Sequence, residues 1–133
     1  MIVTGDGGFQ MVMQTFDTMV KYKIPALIIV VDNASYTIEQ LLLDQIHPEH
    51  TDKYKYVDVR PWSYQNLPQV FNGGTGYCCS TITELVGRLN TWFNNAEYTR
   101  EPCIISCKIP KQDLPGKLKR KTIEKGLSTF RLR

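Results

Sequence analysis

Thr4-Gly5-Asp6-Gly7-Gly8-Phe9-Gln10, followed by Ala26-Leu27-Ile28-Ile29-Val30-Val31-Asp32-Asn33-Ala34-Ser35, decides how this chain folds. Ahead of the glycines, Met1-Ile2-Val3 reads as the end of a strand. Gly5, Gly7 and Gly8 then make a tight turn whose backbone no side chain shields, so another group can approach it closely. From Phe9 to Lys23 the spacing of Met11, Phe16, Met19, Val20 and Lys23 predicts a helix. Ile24-Pro25 ends it, because proline disfavours helical geometry before it and cannot continue the ladder. Ala26 to Val31 is an uninterrupted apolar run, the pattern of a fully buried strand in a parallel sheet.

A strand, a glycine turn and a helix N-terminus make an anion site, since free N–H groups and the helix dipole point at the turn. Asp6 stands in the middle of it. A carboxylate there repels a phosphate unless a divalent cation lies between them. Adjacent parallel strands present their carboxyl ends at one crevice, so Asp6 and Asn33 are expected to converge. Carboxylate, amide, carbonyl and phosphate oxygens are the hard ligands that suit Mg2+.

Gly5-Asp6-Gly7, a spacer of 24 residues and then Asp32-Asn33 resembles the thiamine diphosphate binding motif. The wider wording, GDGGFQ from Gly5 and YTIE from Tyr36 to Glu39, is similar to the pyruvate and indolepyruvate branch of the 2-keto acid decarboxylases. The resemblance runs over about residues 1–95 and is dense in 4–39. It implies an α/β fold of three layers, a mostly parallel sheet flanked by helices, truncated at its N-terminus. It also implies a non-oxidative carboxy-lyase that uses thiamine diphosphate and Mg2+. Carried over by position, Asp6 binds Mg2+ through its carboxylate, Asn33 through its side-chain amide and Ser35 through its backbone oxygen. Gly5, Gly7 and Gly8, with the backbone of Tyr36, Thr37 and Ile38, hold the diphosphate, Ile38 lies near the cofactor, and Glu39 is the catalytic carboxylate.

The chain departs from that pattern at Asp32, where an asparagine is usual, at Ser35, where a glycine is common, and at Thr15, which stands for a glutamate. In the family a glutamate on a separate pyrimidine-binding domain activates the cofactor across a subunit interface. The expectation is therefore a C-terminal fragment of a longer enzyme, inactive without that domain or a second subunit, acting on a 2-keto acid and working as a homo-oligomer. Two other readings stand beside it. One is another thiamine-dependent enzyme of the acetolactate synthase, benzoylformate decarboxylase or oxalyl-coenzyme A decarboxylase type. The other is a non-catalytic binding or regulatory relative. A dinucleotide-binding unit fits poorly, because Gly5-x-Gly7-Gly8 lacks the third glycine and carries a carboxylate in the phosphate turn.

Composition sets the bounds. At 133 residues and 42% apolar content, one domain with a single core is expected. No apolar run approaches the ~20 residues of a membrane span, and no signal peptide pattern precedes the first strand. Cys78, Cys79, Cys103 and Cys107 read as reduced thiols of a cytoplasmic protein, without CxxC spacing or histidine pairing for zinc. From Lys108 onward nine Lys/Arg face two acids, net +7, against seven and eleven, net −4, before it, which together give +3. Residues 1–109 thus read as the α/β domain and 110–133 as a basic tail, a solvated charge run rather than a nucleic-acid or membrane site.

Along the rest of the chain, Tyr36 to Leu43 predicts a helix and 44–61 a connection in which His47 and His50 are solvent-exposed. Trp62 to Phe71 predicts a short helix covering the sheet, with Trp62, Leu67 and Phe71 in the core. Asn72 to Gly76 is a plain turn and Tyr77-Cys78-Cys79 a short strand. Thr81 to Glu84 matches a capping box, opening a helix with Ile82, Leu85, Val86, Leu89, Trp92 and Phe93 on its apolar face. Cys103 to Cys107 is the last buried strand. The order is α/β with a parallel sheet.

Overall fold

The computed structural model describes residues 1–46, 55–95, 101–111 and 113. His47, His50 and the basic segment beyond Asp113 lie outside the described residues. Four strands, β1 (Ile2–Gly5), β2 (Leu27–Asp32), β3 (Thr75–Cys79) and β4 (Cys103–Lys108), form one sheet in the order β1-β2-β4-β3. Every neighbouring pair is parallel. The expected α/β fold with a parallel sheet is what the chain forms.

Side chains on a strand alternate between faces, and both faces of this sheet are covered. Ile28 and Val30 of β2 and Ile104 of β4 pack with Phe9, Phe16, Tyr64 and Leu67 on one face. Leu27 of β2 with Cys103 and Ile105 of β4 pack with Cys79 and Trp92 on the other. The first face is roofed by α1 (Asp6–Val12), α2 (Thr15–Lys21) and the segment through α4 (Leu67–Val70). The second is roofed by α5 (Ile82–Asn94). Leu67 is buried, while Trp62 and Phe71 pack partly buried against the same cluster, as expected.

The single helix expected from Phe9 to Lys23 is two. It begins earlier, at Asp6, whose side chain accepts from the Gly7 N–H at 2.8 Å within the first turn. It breaks at Met13-Gln14, where the Thr15 hydroxyl donates to the Val12 carbonyl at 2.7 Å. The chain restarts through Phe16 N–H to the Met13 carbonyl and Asp17 N–H to the Gln14 carbonyl. A hydroxyl bonded back to a carbonyl in the preceding turn competes weakly with the helical ladder and bends it. As a result Phe9 is buried and Met11, expected on the apolar face, is 68% exposed.

The helix α3 (Thr37–Ile46) starts one residue later than expected and takes in residues assigned above to the connection. The capping box at Thr81 is formed in both directions: Glu84 N–H donates to Thr81 Oγ1, and Thr81 N–H to the Glu84 carboxylate. Only half of the apolar face of α5 meets the sheet. Leu85, Leu89 and Trp92 pack inward, whereas Ile82, Val86 and Phe93 are exposed. The turn at 72–76 does hold a tight approach, at its end: a Cβ on Gly76 would lie 1.9 Å from the Gln65 carbonyl oxygen. That glycine lets β3 run against the one-turn 3-10 segment Tyr64–Asn66.

Candidate functional site

Asp6, the first residue of α1 directly after β1, is buried at 2% exposure. Its two oxygens reach in different directions. Oδ1 accepts from the Gly7 N–H, and Oδ2 accepts from the Ala34 N–H at 2.7 Å, just past the end of β2. One carboxylate therefore ties the carboxyl ends of the two strands together. Burial pushes its carboxyl above the usual range; the Gly7, Ala34 and Asn33 backbone pulls the other way, and Asp32 adds to the upward push. A carboxylate so placed is costly in its charged form unless a cation joins it.

The loop after β2 is shaped to meet it. Ala34 has φ 55, the left-handed region, which turns its N–H toward Asp6. The strained backbone falls on Ala34 and not on Ser35, at a cost of roughly 1 kcal/mol for a residue with a Cβ. Asn33 Oδ1 accepts from the Ser35 N–H at 3.3 Å, and its Nδ2 donates to Thr37 Oγ1 at 2.6 Å. Thr37 Oγ1 in turn donates to the Lys111 carbonyl at 3.3 Å. The loop is strapped to residues 57–59: Tyr36 N–H donates to the Val57 carbonyl and Val59 N–H to the Ala34 carbonyl, making an isolated antiparallel bridge between Ser35 and Asp58. In that pairing alternate backbone groups point away from the partner, so the Ser35 carbonyl faces away from 57–59.

Tyr36 lays its ring on Gly7, where an added Cβ would sit 2.2 Å from Tyr36 Cε1. Together these residues line an open cleft of roughly 250 Å³ at the carboxyl ends of β1 and β2. Gly5, Asp6, Gly7 and Gly8 form one wall, and Asn33, Ser35 and Tyr36 the other. Thr37, Ile38 and Glu39, the first turn of α3, close its end. Ile38 and Glu39 are exposed there. All the residues singled out from the sequence thus meet at one cleft. Gly5 has open space around it, with nothing within 4 Å of an added Cβ.

The donor set is chemically that of a hard-cation site. Asp6 keeps free lone pairs after its two backbone bonds, Asn33 has an amide oxygen held by one long bond, and Ser35 adds a carbonyl. Among the described residues no three His, Cys, Asp or Glu side chains gather as metal ligands, so a cation here depends on amide and carbonyl oxygens. Ser35 Oγ is buried at the cleft without a hydrogen-bond partner among the described residues. An orphaned oxygen beside a buried carboxylate fits a bound oxyanion–cation group.

Sequence reasoning missed two features. Asp32 is buried and its carboxylate accepts from Lys108 Nζ and from Ser106 Oγ, the latter at 3.1 Å. Its signal was a charged residue closing an otherwise apolar strand, but the partner lies 76 positions away. Thr37 joins the site through its side chain as well as its backbone; the four-residue spacing from Asn33 at a helix start was the available signal.

Residues 1–107 match the family described as thiamine pyrophosphate enzyme, C-terminal TPP binding domain. A pyruvate decarboxylase of Aspergillus fumigatus is 29% identical over 123 residues, covering 89% of this chain and 20% of that protein. A thiamine metabolism regulatory protein of Saccharomyces cerevisiae is 30% identical over 116 residues, covering 86% of this chain and 18% of the other. Among solved structures, a thiamine diphosphate-dependent 4-hydroxybenzoylformate decarboxylase of Rhodococcus jostii superposes with a TM-score of 0.67 at 18% identity, covering 81% of this chain and 19% of that one. The chain spans about a fifth of the length of the curated relatives it matches. With the matching fold and a cleft of this make-up, the chain belongs to the thiamine pyrophosphate enzyme family, as its C-terminal TPP-binding domain.

Proposed function

We propose that the chain is the diphosphate- and Mg2+-binding part of a non-oxidative 2-keto acid decarboxylase of the pyruvate or indolepyruvate type. The observation that carries this reading is Asp6, a buried carboxylate at a glycine turn that shares its cleft with Asn33 and Ser35. Pyruvate decarboxylases among the relatives support the reaction class. When bound, thiamine diphosphate would supply the nucleophilic carbon and the electron sink that loss of CO2 from a 2-keto acid needs.

The chain's own residues bind and orient. Asp6, Asn33 Oδ1 and the Ser35 carbonyl would hold Mg2+, whose charge would offset the repulsion between Asp6 and the diphosphate. The Gly8 turn and the start of α3 take the phosphate oxygens. Tyr36, by its contact with Gly7, fixes the cleft wall. Glu39, exposed at the cleft mouth, is the group that exchanges a proton with substrate. Activation of the cofactor's pyrimidine ring falls to a domain outside this sequence, so the chain alone is inactive.

The test is calorimetric titration of thiamine diphosphate into the chain with Mg2+ and with a chelator, beside Asp6→Ala. Mg2+-dependent binding lost in the variant supports the site; binding indifferent to both overturns it. A second reading, a non-catalytic regulatory relative, is favoured by the similarity to the yeast regulatory protein. Joined to a pyrimidine-binding domain, a catalytic chain releases CO2 from a 2-keto acid and loses that activity in Glu39→Gln. A regulatory one binds cofactor and releases none.

A further inference from the structure

We propose that the hydroxyl of Ser35 is itself a ligand of the cation–diphosphate group, donating a hydrogen bond to an anionic oxygen. It rests on the reading of the cleft given above and extends it from the backbone of residue 35 to its side chain.

Three buried side-chain oxygens lack a hydrogen bond among the described residues: Ser35 Oγ, Gln40 Oε1 and Gln65 Oε1. Of these residues, Ser35 alone lines the cleft. It is 5% exposed, so water does not satisfy its hydroxyl freely. Buried polar groups are nearly always partnered, and a buried one that is not needs an explanation. The backbone around it leaves little freedom to find a partner within the chain. Residues 34 and 36 are bonded to 57–59, and the Ser35 N–H is committed to Asn33. What stays free is rotation about χ1, which carries Oγ around a fixed Cα.

The neighbouring carboxylates already have hydrogen-bond partners elsewhere in the chain. Asp32 is neutralised by Lys108 and bonded by Ser106, and Asp6 is bonded by two backbone N–H groups. Neither carboxylate calls on Ser35. A glycine would suffice to offer the carbonyl at this place. A serine adds one donor at the edge of a site whose ligand is rich in acceptors, and a donor to a charged phosphate oxygen is among the stronger hydrogen bonds.

The experiment titrates magnesium pyrophosphate, and separately thiamine diphosphate with Mg2+, into the 133-residue chain and into Ser35→Ala and Ser35→Gly, with ligand-free thermal midpoints measured alongside. Both variants are expected to bind each probe roughly tenfold more weakly. The ligand-free midpoint of Ser35→Ala is expected to stay level or rise, because the orphaned hydroxyl is gone. Variant affinities within about twofold of the parent overturn the proposal. So does a ligand-free midpoint that falls, or a Ser35→Ala chain that fails to fold, since either gives the hydroxyl an internal partner. If the parent chain binds neither probe, the reading of the cleft fails along with it. If the parent binds and Ser35→Ala binds equally well, only the role of the hydroxyl fails.

Discussion

Asp32 and Lys108 face each other in register across β2 and β4, and their side chains are paired. Asp32 continues the face of β2 that carries Ile28 and Val30, so it leaves the core at the point where the sheet meets the site. It is 2% exposed and the Lys108 side chain 40% exposed, so the partner is half in water and the acid is not. Removing the lysine leaves an uncompensated buried carboxylate, which is far costlier than removing both partners. Lys108→Met is expected to lower the free energy of unfolding in urea by about 2 kcal/mol, less than for a wholly buried pair. Asp32→Asn with Lys108→Met should recover most of that loss. Equal losses in the single and double variants would mean that the pair does not hold the sheet edge.

Gly7, Gly73 and Gly76 are required by space rather than by backbone angle. An alanine Cβ at Gly76 would meet the Gln65 carbonyl, a backbone atom that cannot swing aside. At Gly7 it would meet the Tyr36 ring, which can. Overpacking costs typically 1–3 kcal/mol, more where the neighbour is fixed. Gly76→Ala is therefore expected to lower the thermal midpoint more than Gly7→Ala does. Tyr36→Ala should rescue the second and leave the first unchanged, in differential scanning calorimetry. A rescue of Gly76→Ala by the Tyr36 change would contradict the geometry.

The sheet was legible because β2 and β4 are buried on both faces, which writes itself as the apolar run Ala26–Val31 and the mostly apolar run Cys103–Cys107, broken only by Ser106. The meeting of Asp6 with the loop after β2 was legible for the same reason: parallel neighbours bring their carboxyl ends together. What periodicity could not reveal was decided by single polar contacts. The break at Met13-Gln14 between α1 and α2 coincides with the bond from the Thr15 hydroxyl to the Val12 carbonyl. The stacking of Tyr36 on Gly7 joins residues 29 apart, and the Asp32–Lys108 pair joins residues 76 apart. No local pattern carries such information.

The thiols give a pH signature. Burial first, and then Cys79 and Cys78, push the Cys107 thiol up from 9.0 to about 11. Burial likewise raises Cys79 and Cys103. Because the folded value lies above the unfolded one, the stability tied to Cys107 is complete below pH 9 and is lost as the pH rises toward 11. At about 1.4 kcal/mol per unit the loss reaches roughly 2 kcal/mol from this group. Urea unfolding between pH 8 and pH 11 should show the decline, and Cys107→Ala should flatten part of it. At pH 8, iodoacetamide should label exposed Cys78 ahead of the other three by peptide mass spectrometry. A parent profile no steeper than that of Cys107→Ala would sink the assignment.

The two sides of α5 should answer mutation differently. Its apolar positions span a stripe wider than the sheet beneath can cover: Leu85, Leu89 and Trp92 stand at four- and three-residue steps and pack on Cys79, Cys103 and Ile105. Ile82, at 81% exposure, and Phe93, at 63%, lie outside that contact, with Val86 beside them. Truncating a buried aromatic costs about 3–5 kcal/mol, and exposed positions usually stay within about 0.5 kcal/mol. Trp92→Ala is therefore expected to bring the chain close to unfolding at room temperature, and Leu89→Ala, only partly buried, to cost about 2 kcal/mol. Ile82→Lys, Val86→Lys and Phe93→Lys should each leave the urea midpoint almost unmoved. A loss above about 1 kcal/mol in any of the three lysine variants would mean that this side of the helix is covered.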